Sequence, residues 1–163
     1  MNTENVEAQE YFTEKSADYY RTHYEDITSK THYPSLYLRH RYTLEMLGNT
    51  KNGNALDIGC GSGAMARELL DRGFTVTAAD ISQGMLDATK KTTSGHPRAK
   101  HITFTQQDIE QLSLPDNAFD VLICTGVIEY LKSDGSACAE IARVLKPGGI
   151  AFVSTQNKAS LAR

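Results

Sequence analysis

The spacing of apolar and polar positions changes near Gly48. Before it lie two segments, about residues 5–22 and 34–47, without short glycine-bounded apolar runs. These read as two helices with a bend near Tyr33-Pro34, because the residue before a proline is pushed to extended conformations. Gly48 reads as the C-cap of the second helix. Beyond about Asn54 the chain becomes a run of short apolar segments punctuated by glycine. Ala55-Leu56-Asp57-Ile58 predicts a strand, Ala64 to Leu70 a helix closed by Gly73, and Phe74 to Ala79 a second strand. Ser82 is placed to cap the next helix, whose Met85, Leu86 and Ala88 predict one buried face. Ile102 to Thr105 predicts a third strand, and Phe119 to Cys124 a fourth that is fully buried. Asp134 is placed to cap a helix with Ala137, Cys138, Ile141, Val144 and Leu145 at helical spacing. Pro147-Gly148-Gly149 is expected to end that helix, and Ile150 to Ser154 to form a fifth strand.

Strands alternating with helices imply βαβ units and a mostly parallel sheet. Right-handed crossovers then give a doubly wound α/β fold. Residues 1–48 form a helical arm that holds seven of the eight tyrosines: Tyr11, Tyr19, Tyr20, Tyr24, Tyr33, Tyr37 and Tyr42. Residues 49–163 form the α/β domain. The 163 residues fit one domain with a real core. Apolar residues at 40% and charged residues at 23% are ordinary globular usage and argue against disorder. No apolar run approaches the ~20 residues of a membrane span, so no membrane partner is expected. A formal charge of −3 argues against holding nucleic acid by charge alone. Cys60, Cys124 and Cys138 show no metal-ligand spacing; reduced thiols and a cytoplasmic location are expected, with no metal.

The sharpest local signal is Asp57-Ile58-Gly59-Cys60-Gly61-Ser62-Gly63, between the first strand and its helix. Alternating glycines allow a tight turn and close approach of backbone to a ligand. The pattern Gly59-x-Gly61-x-x-Ala64, with Asp80 about 20 residues on, also satisfies a dinucleotide fingerprint. The motif alone leaves a nicotinamide cofactor open. Its context favours another ligand. Asp57, two residues before the first glycine, would repel a pyrophosphate and attract a cationic group. A ligand with an amino group and a sulfonium, such as S-adenosylmethionine, suits the loop better. The loop lacks G-x-S-x-G spacing around Ser62, and no Gly-Lys-Ser/Thr follows it, so a hydrolase and a phosphate-binding Walker loop are unsupported.

Leu56 to Gly63 resembles motif I of the class I S-adenosylmethionine-dependent methyltransferases. Four further stretches resemble that family in order: Val76 to Ser82 followed by Met85-Leu86, then Gln107-Asp108-Ile109, Leu114 to Asp120, and Arg143 to Gly149. The resemblance covers about residues 50–155 and implies a Rossmann-like sheet in the order 3-2-1-4-5. It implies that Gly59, Gly61 and Gly63, with Cys60 between them, pass under the methionine part of the cofactor and that Asp57 helps hold its amino group. Asp80 would accept hydrogen bonds from the ribose hydroxyls and Asp108 from the adenine amino group. Ile81 and Ile109 would cover the two ring faces, and Cys124-Thr125-Gly126 would offer backbone carbonyls near the methionine end. Phe12 to Tyr19 resembles the segment that small-molecule methyltransferases place over the cofactor. Tyr19 is the candidate there, with Tyr24 second; both also fit a packing role, since aromatic side chains dominate such contacts.

Direct methyl transfer to an O, N or C nucleophile needs alignment more than acid catalysis. Glu129-Tyr130 stands where the family often shows Glu-His, so no base is assigned. Cys124-Thr125-Gly126-Val127 does not resemble the Asn/Asp-Pro-Pro-Tyr/Phe motif of DNA amino methyltransferases. A small-molecule acceptor and no nucleic acid are the expectation. The competing readings are a cofactor-binding module without turnover and an NAD-dependent oxidoreductase. The family's sheet normally continues with a helix and two further strands, which are missing here. The fifth strand is then an exposed edge. A piece of a longer polypeptide, or a homodimer through that strand, is expected.

Overall fold

A computed structural model describes residues 3–23, 34–131 and 133–155, with side chains described for 6–16, 36–131 and 133–155. Two helices open the chain, α1 (Thr3–His23) and α2 (Pro34–Leu47). They are followed by β1 (Asn54–Ile58), α3 (Ala64–Asp71), β2 (Thr75–Asp80), α4 (Gln83–Thr93), β3 (Ile102–Gln106), β4 (Phe119–Cys124), α5 (Gly135–Val144) and β5 (Leu145–Val153). The five strands form one parallel sheet in the order β3-β2-β1-β4-β5. The expected bend at Tyr33 lies outside the described residues.

Side chains alternate across a strand, and the sheet uses both faces. Ala55, Val76, Ala78, Val121 and Ile123 pack with Leu47 of α2, Leu69 and Leu70 of α3, and Leu86 of α4. Leu56, Ile58, Ala79, Leu122 and Cys124 pack on the other face with Ala137, Ile141 and Val144 of α5. Burial on both sides explains why β1 and β4 read as nearly continuous apolar runs. The helix ends follow their capping residues. Gly48 takes a φ of 54° and its N–H donates to the Leu44 and Glu45 carbonyls. Ser82 Oγ accepts from the Met85 N–H at 3.3 Å.

Four local expectations are corrected. Asp134 stands at the N-cap of α5, but its side chain makes no capping bond. Cys138 is exposed, leaving Ala137, Ile141 and Val144 as the buried stripe. In α4 the fully buried partner of Met85 and Leu86 is Thr89, while Ala88 is only half-buried. Pro147-Gly148-Gly149 does not end a helix. The helix ends at Val144 and β5 begins at Leu145, with Phe119 opposite Leu145 and Val121 opposite Ile150. The glycines lie in a bulge inside the strand, and bulges are a recurrent use of glycine in sheets.

Arg143 ties α5 to the long β3–β4 connection. It donates to the Leu112 carbonyl at 2.9 Å, to the Leu114 carbonyl at 2.7 Å and to Glu140. Glu140 Oε2 in turn accepts from the Leu112 N–H at 2.7 Å. This clamp explains an arginine in the stretch before β5, and it holds the segment that carries Asp108 and Ile109. Arg143→Met is expected to lower the melting temperature. Hydrogen exchange at the Leu112 amide should quicken several-fold while the amides of β1 stay protected.

Candidate functional site

In open α/β sheets, ligands bind beyond the carboxyl ends of the strands, at the point where strand order reverses. Here that point lies between β1 and β4. An open cleft lies there. Ile58, Gly59 and Gly61 floor it, and Asp80, Ile81 and Met85 form one wall. Gln107, Asp108 and Ile109 follow from the end of β3, and Thr125, Gly126 and Val127 from the end of β4. Ala8 and Phe12 of α1 close it from above, and Phe12 meets the Tyr130 ring edge-on at 5.2 Å.

The glycine loop is fastened on three sides. The Gly59 and Cys60 N–H groups donate to the Ala79 carbonyl at 2.8 and 3.0 Å. The Gly61 N–H donates to Asp80 Oδ2 at 3.0 Å. The Gly61 carbonyl accepts from Thr89 Oγ at 2.8 Å. Glycine is required at two positions. A Cβ on Gly59 would lie 2.1 Å from the Val127 side chain, and one on Gly63, at φ +88°, would lie 3.1 Å from the Thr89 Cα. At Gly61, by contrast, a Cβ would meet nothing within 4 Å, so this residue faces open space in the cleft.

Two carboxylates stand at the strand ends. Asp80 accepts from the Ser82 N–H at 3.0 Å as well as from Gly61. Burial raises its pKa, against the pull of those backbone donors. Asp57 is only 3% exposed and its Oδ2 has no partner. Burial, then the charge of Asp80, pushes the Asp57 carboxyl up to about 7; the Ala66 N–H offsets part of this. Burial also pushes Cys124 up to about 12 and Cys60 well above its ordinary value. Neither thiol is a thiolate near neutrality, so neither is a nucleophile here.

Of the residues expected at a site, Gly59, Gly61, Asp80, Ile81, Asp108, Ile109 and Thr125 line the cleft together. Asp57 and Cys60 line a small adjoining cavity with Arg39, His40 and Thr125. Gly63 packs under α4 instead of facing the cleft. Cys124 is fully buried, and its carbonyl accepts from the Ser154 N–H at 3.0 Å, which ties it to β5. That bond leaves the carbonyl its second lone pair. Tyr19 lies within α1, but its side chain is outside the described residues, as is all of Tyr24.

Arg39, Met85, Gln107 and Thr89 serve the site without standing in any motif position assigned to ligand binding. Arg39 is the most consequential, since it lines the cleft and both neighbouring cavities. A methyl group on Gly126 would fall 2.7 Å from Arg39 Nη1, so the guanidinium lies against that glycine. The available signal was helical spacing: Arg39, Thr43 and Met46 share one face of α2.

A glycine loop between two strand-end acids, on a parallel sheet in the order 3-2-1-4-5, is the arrangement of the class I S-adenosylmethionine-dependent methyltransferases. Residues 56–153 match the family model described as a methyltransferase domain, and the chain belongs to that family. It is 36% identical over 116 residues to a malonyl-[acyl-carrier protein] O-methyltransferase of Serratia marcescens, covering 71% of this chain and 43% of that protein. It is 32% identical over 108 residues to a ubiquinone biosynthesis O-methyltransferase of Coxiella burnetii, covering 66% of this chain and 45% of that one. The chain thus spans less than half the length of these two relatives. Among solved structures, the phosphoethanolamine N-methyltransferase 2 of Haemonchus contortus, in complex with S-adenosyl-L-methionine, superposes with a TM-score of 0.63 at 28% identity. That match covers 71% of this chain and 27% of that one. A nicotinamide cofactor has no support in these matches.

The raised pKa of Asp57 has a consequence for stability. The folded form holds the proton to about pH 7, while an unfolded aspartate gives it up near 3.8. Between those values the folded state binds more protons, so stability falls as pH rises through the window. Asp57→Asn is expected to raise the melting temperature relative to wild type. The difference should be small at about pH 4 and grow by about pH 8, on the order of a few kcal/mol at most. Thermal unfolding at the two pH values measures it.

Proposed function

We propose that this chain binds S-adenosylmethionine in the cleft and takes part in methylating a small molecule. The single observation that carries the reading is the unpartnered Asp57 Oδ2, buried beside the glycine loop and Arg39. A buried carboxylate oxygen without a donor is costly, and an ammonium group removes that cost. The residues present fit the cofactor end to end. Asp57 and Arg39 carry opposite charges suited to the amino and carboxylate groups of a methionine. Asp80, at the tip of β2, has lone pairs left for ribose hydroxyls. In this reading Asp108 takes the adenine amino group, and the apolar side chains of Ile81 and Ile109 cover its ring faces. Bound there, S-adenosylmethionine supplies an electrophilic methyl group on a sulfonium whose departure needs no acid. The chain's part is to align, exclude water and accept charge.

The acceptor is a small molecule in this reading. The two named relatives are O-methyltransferases, and the cleft is lined by acids and apolar groups, with Arg39 as its one basic side chain among the described residues. No described helix is long and apolar enough to cross a membrane. Reduced cysteines fit a cytoplasmic location; all three are free. Self-association through β5 belongs to the same reading. No described strand pairs with its outer edge, and Ile150 and Val153 are each 47% exposed. Ile150→Lys should then shift the chain toward monomer in sedimentation, and a wild-type monomer at all concentrations would overturn that part.

Calorimetry with S-adenosylmethionine tests the main claim. Saturable binding is expected. Asp80→Asn and Arg39→Met should each weaken it at least about tenfold, since a hydrogen bond to a charged group contributes about 1.5–3 kcal/mol. No binding at millimolar ligand, or saturable NADH binding in its place, would sink the proposal.

A further inference from the structure

A second, solvent-open cavity of about 460 Å³ adjoins the cleft. Tyr42 and Met46 of α2 face Phe152 and Val153 of β5 across it. Arg39 and Thr125 line both spaces, so the two meet at a shared partition. Cofactor binding, as argued above, leaves this chamber unused.

Glu129 is the one carboxylate among the described residues on the chamber wall. It stands in the short 3₁₀ turn after β4, and its side chain is 12% exposed. Arg39 Nη1 lies 3.6 Å from Glu129 Oε1, too far for a hydrogen bond. Glu129 Oε2 is buried with no partner. The last torsion of a glutamate is broad and roughly two-fold, so its rotation exchanges the two oxygens at low cost. A guest with a hydroxyl supplies the donor that Glu129 lacks. An ammonium guest would instead meet the positive Arg39 on the same partition. Tyr42, Phe152 and Met46 suit an apolar, ring-bearing body, since aromatic rings and thioether sulfur both pack well on rings.

We infer that this chamber receives the methyl acceptor, a ring-bearing hydroxyl compound, and that Glu129 takes its hydroxyl proton. The inference rests on the methyltransferase reading. As the acceptor reacts, its O–H bond breaks and the proton passes to the Glu129 carboxylate. The freed oxygen pair forms the bond to the methyl carbon, and the methyl–sulfur pair stays on sulfur as a neutral thioether.

Methionine methyl groups provide built-in reporters. Met85 lines the cleft and Met46 the chamber. In protein labelled at its methionine methyl groups, S-adenosylhomocysteine should shift the Met85 signal. Catechol, added to that complex, should then shift Met46. A silent Met85 removes the methyltransferase reading itself. A responsive Met85 with Met46 silent at millimolar catechol overturns the chamber alone. Turnover then isolates Glu129. Catechol keeps its proton at mildly alkaline pH, whereas 4-nitrocatechol has already lost one. Glu129→Gln should slow catechol methylation by about 100-fold or more relative to its effect on 4-nitrocatechol. Equal slowing of both, or bound catechol that is never methylated by wild type, overturns the role of Glu129. Dispersed Met65 and Met85 signals show that the variant is folded, and Glu129→Asp should recover part of the catechol rate.

Discussion

Two buried carboxylates at neighbouring strand ends set the terms for this fold. Asp57 and Asp80 stand at the ends of neighbouring parallel strands, with Ile58 registered against Ala79. Each is almost wholly buried, and the charge of Asp80 adds to the cost of ionising Asp57. Backbone donors offset part of that cost at Asp80, where Gly61 and Ser82 both point N–H groups at the carboxylate. Asp57 has no such pair of donors. The protein therefore keeps a buried group that is partly protonated near neutrality and lacks a hydrogen-bond partner on one oxygen. Strain of this kind is stored where a ligand relieves it.

The glycine loop follows from the same constraint. To bring backbone N–H groups onto Asp80, the chain must leave β1 and turn under the end of β2 within a few residues. Gly59 and Gly63 permit this, because any side chain there would collide with Val127 or Thr89. The loop is thus a structural bracket and a ligand floor at once, and only Gly61 faces open space.

The sequence made the sheet legible because both of its faces are buried. Ala55 to Ile58 and Phe119 to Cys124 are apolar in every position but one, and such runs between glycines read as central strands. The bulge in β5 was not legible: Pro147-Gly148-Gly149 carries the same residues as a helix stop, and only pairing with β4 distinguishes the two. Site residues fell into two groups for a similar reason. Asp80, Asp108 and the glycines sit at strand ends, where one-dimensional order fixes three-dimensional place. Arg39 and Glu129 come from α2 and from the turn after β4, and nothing local to either marks their meeting across the partition. Cys124 also stands at a strand end, where its carbonyl accepts from the Ser154 N–H of the neighbouring strand's end.

Ligand binding relieves Asp57. Calorimetry of S-adenosylhomocysteine binding at neutral pH, in two buffers of different ionisation enthalpy, reads the proton balance directly. If a ligand ammonium settles beside Asp57, the carboxyl gives up the proton it holds. Wild type should then release a fraction of a proton, up to about one half near pH 7, and Asp57→Asn should release none. Binding without proton release in the wild type, or equal release by both proteins, would contradict the account.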